Sequence, residues 1–210
     1  MDRVKRTVES DRLRGALLTS ISHDLKTPLA SVLGAASTLR DLASGLTDTQ
    51  KHELLATVID ESERLNRFIA NLLDMTKLES SAIVPNAAPH DVGEIVGSAL
   101  RRAGKILVHH NVSLQLGADL PMLEVDAVLF EQVLFNLLDN AAKYAPSGTT
   151  ISVRGVRDGG HVMLQIMDEG SGIPPAELES VFDKFYRAQK GDHVRPGTGL
   201  GLAISRGFIE

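Results

Sequence analysis

The 210-residue chain has no cysteine and no tryptophan, and aromatic residues make up only 4% of it. Without cysteine there is no disulfide framework, no cysteine-ligated zinc or iron–sulfur cluster, and no thiol catalysis. Long apolar runs are missing too. None approaches the roughly 20 residues needed to span a bilayer, and the opening MDRVKRTVES lacks the pattern of a secretory signal. Positive charge is in short supply: 22 Lys and Arg stand against 27 Asp and Glu, for a net charge of −5. The basic footprint that nucleic-acid binding requires is therefore absent, and no nucleic-acid partner is expected. What remains is globular in character. Hydrophobic residues are 43% and charged residues 23%, enough for an aliphatic core and too apolar for general disorder.

Two regions differ in periodicity. Between Ser10 and Ser80 the only proline is Pro28, and apolar residues recur in steps of three and four. Leu17, Ile21, Leu25, Pro28, Val32, Ala36 and Leu39 form one stripe; Leu54, Val58, Leu65, Ile69 and Leu72 form another. Each predicts a long amphipathic helix. Gly45 and the Thr47/Asp48 cap signal place a turn at 41–48, so residues 1–80 read as a helical hairpin. Two helices cannot cover both stripes alone. A homodimer forming a four-helix bundle is expected. The Ser/Ala/Pro-rich stretch 81–90 reads as a linker.

From 91 to 210 the pattern mixes helix and strand. Asp91 opens a helix from Val92 to about Lys105, and Phe130–Tyr144 is a second. Val112–Leu116, Thr149–Val156 and Val162–Met167 alternate as strands, the last two joined by the turn Asp158-Gly-Gly160. The expected architecture is an α/β sandwich. A further helix begins near Gly199 and is still running at Glu210, so this domain is expected to lack its last segment.

Four stretches carry chemistry. In Ser22-His23-Asp24-Leu25-Lys26-Thr27-Pro28, helical geometry turns His23 away from the apolar stripe, with Thr27 on the same face. Asp24 can orient the imidazole so that its other nitrogen is a neutral nucleophile. In Asn136-Leu-Leu-Asp-Asn140-Ala-Ala-Lys143-Tyr144 the two amides share a helix face. They can order Mg²⁺ with triphosphate oxygens, and Lys143 can neutralise a phosphate; polar capping near a helix end is the alternative. Asp168, followed by Gly170 and Gly172, can accept from an adenine amine while the glycines allow close backbone approach; a plain turn is the alternative. Gly197-Thr198-Gly199-Leu200-Gly201 is a glycine-rich loop entering a helix, a recipe for phosphate binding.

His23-Asp-x-x-Thr27-Pro28 resembles the phospho-acceptor box of two-component sensor histidine kinases, and 17–39 is most similar to the Kdp-type kinases that respond to potassium and turgor. Asn136–Tyr144 resembles that family's N box, Gly170/Gly172 and Gly197/Gly199/Gly201 its glycine boxes, and Val181–Arg187 its phenylalanine box. The resemblance implies a dimerisation and phosphotransfer domain, then an ATP-binding domain of the histidine-kinase, gyrase and chaperone type. It implies ATP and Mg²⁺, with Asn140 coordinating the metal and Asn136, Lys143 and Tyr144 lining the nucleotide. Arg187, in a lid with Lys184, Lys190 and Arg195, is the residue to reach the γ-phosphate, and Thr27 is implied to position water. The partner is a response-regulator receiver domain. The fragment is expected in the cytoplasm without membrane contact of its own, its parent anchored in the bacterial inner membrane. Two rival readings stay in view. ATP-hydrolysing relatives place a glutamate four residues before the metal-binding asparagine, and this chain has Asn136 there; a non-catalytic helical scaffold is the other.

Overall fold

The structure, a computed structural model, describes residues 22, 24–80, 83–186 and 198–210. Leu17, Ile21, His23, Arg187, Lys190, Arg195 and Gly197 lie outside the described residues. Two compact units divide the chain, Met1–Leu73 and Asp74–Glu210.

The first unit is helical. Helix α1 covers 24–41, a turn occupies 42–47, and α2 runs Asp48–Glu79. The start of α2 is a reciprocal capping box. The Gln50 amide donates to Thr47 Oγ1 at 3.2 Å, and the Thr47 amide donates to Gln50 Oε1 at 2.9 Å. Two otherwise orphaned donors are satisfied at once. The buried seam differs from the expected stripe by part of a turn. Ala35 and Phe68 are buried, whereas Ala36 and Ile69 are exposed. Two steps of four from Pro28 over-rotate by about 80°, whereas a seven-residue step to Ala35 falls only about 20° short. The seam keeps a heptad phase. Beside it, Leu29 and Leu33 on α1 and Leu55, Ile59, Ile69 and Leu73 on α2 remain 44% to 59% exposed.

The second unit is α/β. Helix α3 (Val92–Ala103) is capped by Asp91, whose Oδ1 accepts from the Glu94 amide at 3.0 Å. It buries Val92, Ile95, Val96, Ala99 and Ala103, an i, i+3, i+4 face. Helix α4 (Ala127–Tyr144) starts three residues before the expected Phe130 because Asp126 caps it, accepting from the amides of Val128 at 3.0 Å and Leu129 at 3.1 Å. Both helices cover one face of a three-stranded sheet in the order β2 (Asn111–Leu116), β4 (Thr150–Asp158), β5 (His161–Met167). β2 pairs parallel with β4, and β4 antiparallel with β5. Asp158 pairs with His161 across the Gly159-Gly160 turn, where Gly159 adopts φ +59°. Ile151 and Val153 of β4 and Leu138 of α4 close the core.

Two short strands were invisible to periodicity. β1 (Ala88–His90), at the end of the expected linker, pairs antiparallel with β3 (Leu123–Val125). The unit ends in α5 (Gly201–Ile209). Leu200, Ile204 and Met75 form a second apolar cluster, with Leu78, Phe185 and Phe208 packed against it. Among the described residues, no helix is long and apolar enough to cross a membrane.

Candidate active site

Helix α4 organises the second unit's polar residues. At its C-terminal end, Tyr144 is half exposed and its carbonyl closes on Gly170: a Cβ there would lie 3.0 Å from the Tyr144 oxygen and 2.6 Å from Asp168 Oδ1. No side chain fits. The Gly170 amide instead donates to Asp168 Oδ1 at 2.7 Å, holding the carboxylate in an Asx turn. Glu169 Oε1 accepts from the Thr150 amide at 3.1 Å, tying this loop to the sheet. Gly172 adopts φ +69°.

In the last turn of α4, Lys143 is ion-paired with Asp139 at i, i+4. The acid lies N-terminal to the base, the favourable order. Lys143 thus has a carboxylate neighbour within the helix. Asn140, half-buried, makes no side-chain hydrogen bond among the described residues. A neutral amide oxygen of that kind suits Mg²⁺, which takes hard oxygen ligands and keeps several waters.

Asn136 behaves differently from Asn140. It is buried, and its Nδ2 donates to the Gly201 carbonyl and to Ser205 Oγ, each at 3.3 Å, while its Oδ1 accepts from Gln132 Nε2 at 3.2 Å. The two amides expected to face one ligand therefore have different partners. Ser205 and Gln132 were both passed over in the sequence. Gln132 is at i−4 from Asn136, a visible spacing; Ser205 is 69 residues away and carries no local signal.

The glycine-rich loop docks on the segment before it. Gly199, at φ +65°, accepts at its carbonyl from the Phe185 amide at 2.9 Å, and a Cβ there would meet backbone atoms of Phe185 and Tyr186 at 2.7 Å. Only glycine fits. Thr198 Oγ1 accepts from the Leu200 amide at 3.2 Å. Leu200 is fully buried, so what it can offer a ligand is backbone. Lys184 pairs with Glu79 at 2.6 Å. The Tyr186 phenol is pushed up by burial, with Glu177 adding a hydrogen bond and its charge. Arg206 is held further toward its charged form by Glu210, and its guanidinium lies 5.4 Å from the Phe182 ring centroid.

The structure thus joins four of the expected motifs pairwise: the N-box helix to the first glycine box through Tyr144 and Gly170, the same helix to the second glycine box through Asn136 and Gly201, and the phenylalanine box to the second glycine box through Phe185 and Gly199. On α1, Asp24 is half-buried, Thr27 is exposed and Pro28 is fully buried.

Comparison with known proteins agrees. Residues 13–81 match the His Kinase A (phospho-acceptor) domain family. Residues 125–210 match the family described as histidine kinase-, DNA gyrase B-, and HSP90-like ATPase. The sensor protein KdpD of Clostridium acetobutylicum is 38% identical over 210 residues, covering 100% of this chain and 23% of that protein. Its namesake in Escherichia coli is 38% identical over 204 residues, covering 96% of this chain and 22% of that protein. The chain therefore spans less than a quarter of the length of these relatives. The solved structure of the Acinetobacter baumannii histidine kinase AdeS shares the fold at TM-score 0.66 and 24% identity, with 89% of this chain and 85% of that one covered. A phospho-acceptor domain followed by an ATPase domain of this type, with relatives of this kind along its whole length, means that the chain belongs to the sensor histidine kinases.

Proposed function

We propose that this chain is the catalytic portion of a Kdp-type sensor kinase that phosphorylates its own His23 from ATP and passes the phosphoryl group to an aspartate of a response-regulator receiver domain. The observation that carries the reading is the convergence of both glycine boxes on α4, through Gly170 at Tyr144 and Gly201 at Asn136. In this reading residues 1–80 are the dimerisation and phosphotransfer domain, 81–90 the linker and 91–210 the ATP-binding domain.

The neutral nitrogen of His23 attacks the γ-phosphorus in line. An N–P bond forms, the bond to the β–γ bridging oxygen breaks, and ADP leaves. Asp24 accepts the ring proton and holds the imidazole in the reactive tautomer. Asp168 recognises the adenine amine, and the backbone of Gly170 and Gly172 lies against the base. Tyr144 and Lys143 flank the nucleotide. The backbone of Gly197, Thr198, Gly199, Leu200 and Gly201 cradles the phosphates at the start of α5, with Arg187 at the γ-phosphate. Asn140 is the residue that would hold Mg²⁺, which supplies charge neutralisation on the triphosphate when bound. Thr27 positions water when the same helix removes the phosphoryl group from the regulator.

The exposed apolar row beside each hairpin seam supports a homodimer, with four helices covering what two leave open. Potassium or turgor as the signal, and a parent anchored in the bacterial inner membrane with this part in the cytoplasm, complete the proposal on kinship with the KdpD proteins. Incubation with γ-labelled ATP and Mg²⁺ tests it. The expected result is label on the protein that is acid-labile, alkali-stable and absent from His23→Gln. Phosphate release without labelled protein would overturn it in favour of an ATPase.

A further inference from the structure

Asn136 and Ser205 are the two polar residues buried among the described residues, at 6% and 5% exposure, and they are hydrogen-bonded to each other from opposite ends of a 69-residue separation. The bonding is concentrated. Asn136 Nδ2 donates to Ser205 Oγ and to the Gly201 carbonyl, and Ser205 Oγ donates to that same carbonyl at 2.8 Å. Gln132 Nε2 supplies the bond to Asn136 Oδ1. Both ends of the Asn136 amide are therefore engaged by protein.

Such a pair has a specific mechanical consequence. Helix α5 otherwise packs mainly through apolar groups, Ile204 and Phe208 in a cluster with Leu200, Met75, Leu78 and Phe185, with Arg206 near the Phe182 ring. Apolar contacts hold two helices together but tolerate sliding, whereas a buried polar pair is satisfied in one register only. A slip of one residue moves the α5 backbone amides by about 1.5 Å and swings them by about 100°. Asn140 lies one turn beyond Asn136 on the same helix, about 6 Å along its axis.

We infer that Asn136 is a positioning residue, not a nucleotide ligand: with Ser205 it clamps the Gly201 carbonyl and so fixes where the phosphate-binding start of α5 stands relative to Asn140. This rests on the reading that the loop 197–201 and Asn140 take Mg-ATP, and it replaces the nucleotide-lining role that the sequence implied for Asn136. Ser205 is the decisive residue, because its hydroxyl is buried on α5 against α4 and has no role at the nucleotide in that reading.

The test measures the dissociation constant of Mg²⁺ with β,γ-imido-ATP by calorimetry on the whole 210-residue chain, alongside the melting temperature. Ser205→Ala and Asn136→Ala are each expected to weaken binding roughly three- to tenfold, in line with loss of about one hydrogen bond. The double variant is expected to be no weaker than Asn136→Ala alone, because the two residues act as one unit. If Asn136→Ala is unfolded at the assay temperature, the near-isosteric Asn136→Asp takes its place, since it loses both donations. A Ser205→Ala chain that binds like wild type while Asn136→Ala does not would mean that Asn136 touches nucleotide directly. Additive losses, or a lowered melting temperature with unchanged affinity, would equally overturn the clamp. Failure of the wild-type chain to bind would instead strike the ATP reading itself.

Discussion

The two units treat their apolar residues in opposite ways. In the α/β unit the core closes on itself: Leu138, Ile151 and Val96 lie under α3, α4 and the sheet with 2% exposure or less. In the hairpin only one seam is covered, and Leu29, Leu33, Leu55, Ile59, Ile69 and Leu73 stay in the open. A helix surface of that kind is not a finished protein surface. The difference teaches that the α/β unit closes its own core, while the hairpin leaves an apolar row for a partner to cover, which in the proposed reading is a second copy.

The comparison is broken most forcefully by putting charge on the open row. Leu55→Glu with Ile59→Glu leaves the half-buried Leu54 and Val58 and the buried Phe68 in place, so the change falls on the exposed face. In a dimer it buries four unpaired carboxylates, each costing several kcal/mol. The dimer is expected to weaken by at least about a thousandfold, near 4 kcal/mol. Light scattering at micromolar concentration then reads the monomer mass, while the α/β unit keeps its unfolding transition. A wild-type chain that is already monomeric at that concentration would remove the premise.

How much of this was legible beforehand follows the range of each interaction. Local signals carried well. The Thr47/Asp48 signal announces the start of α2; Asp91 announces α3; Asp158-Gly-Gly160 announces the hairpin. Signals weakened when they needed phase. Choosing Ala36 and Ile69 over Ala35 and Phe68 is a question of accumulated rotation, which single steps of three or four do not settle. β1 and β3 have three residues each, too few for alternation to register, and β1 contains Pro89. In the site, the glycine positions could be read because backbone approach demands glycine itself. The clamp could not, because Ser205 has meaning only where α5 meets α4. Asp126 was likewise missed as a cap: the apolar pattern picked up at Phe130, one turn too late.

Asp126 sharpens the comparison from the α/β side. Its carboxylate accepts from three backbone amides, those of Asn86, Val128 and Leu129, so one side chain caps α4 and fastens the segment preceding β1. These bonds, the one from Asn86 first, hold its carboxyl below the usual carboxylate range. A group whose folded pKa is depressed contributes stability above its unfolded pKa, near 4, and loses it as pH falls through the folded value. Asp126→Ala is expected to destabilise the unit by about 1–2 kcal/mol at pH 7. The gap between variant and wild type should narrow as pH drops below about 4. Urea unfolding monitored at several pH values checks it, and a gap that does not depend on pH would mean the charge is not what caps α4.

The hairpin's cap gives the smallest effect and the cleanest contrast. Thr47 also sits at a helix start, yet it is neutral and exposed, and its side chain bonds to Gln50 three residues on. Water replaces those bonds readily when they are lost, so Thr47→Ala is expected near the low end of capping losses, about 0.5 kcal/mol. That loss should be flat between pH 3 and 8, since neither partner titrates. Helix α2 would fray at its first turn, with amide exchange accelerating at Lys51 and His52 and unchanged at Met75. Accelerated exchange reaching Met75 would mean that the hairpin responds as one cooperative piece with the α/β unit, and the contrast between a self-sufficient unit and an unfinished one would have to be redrawn.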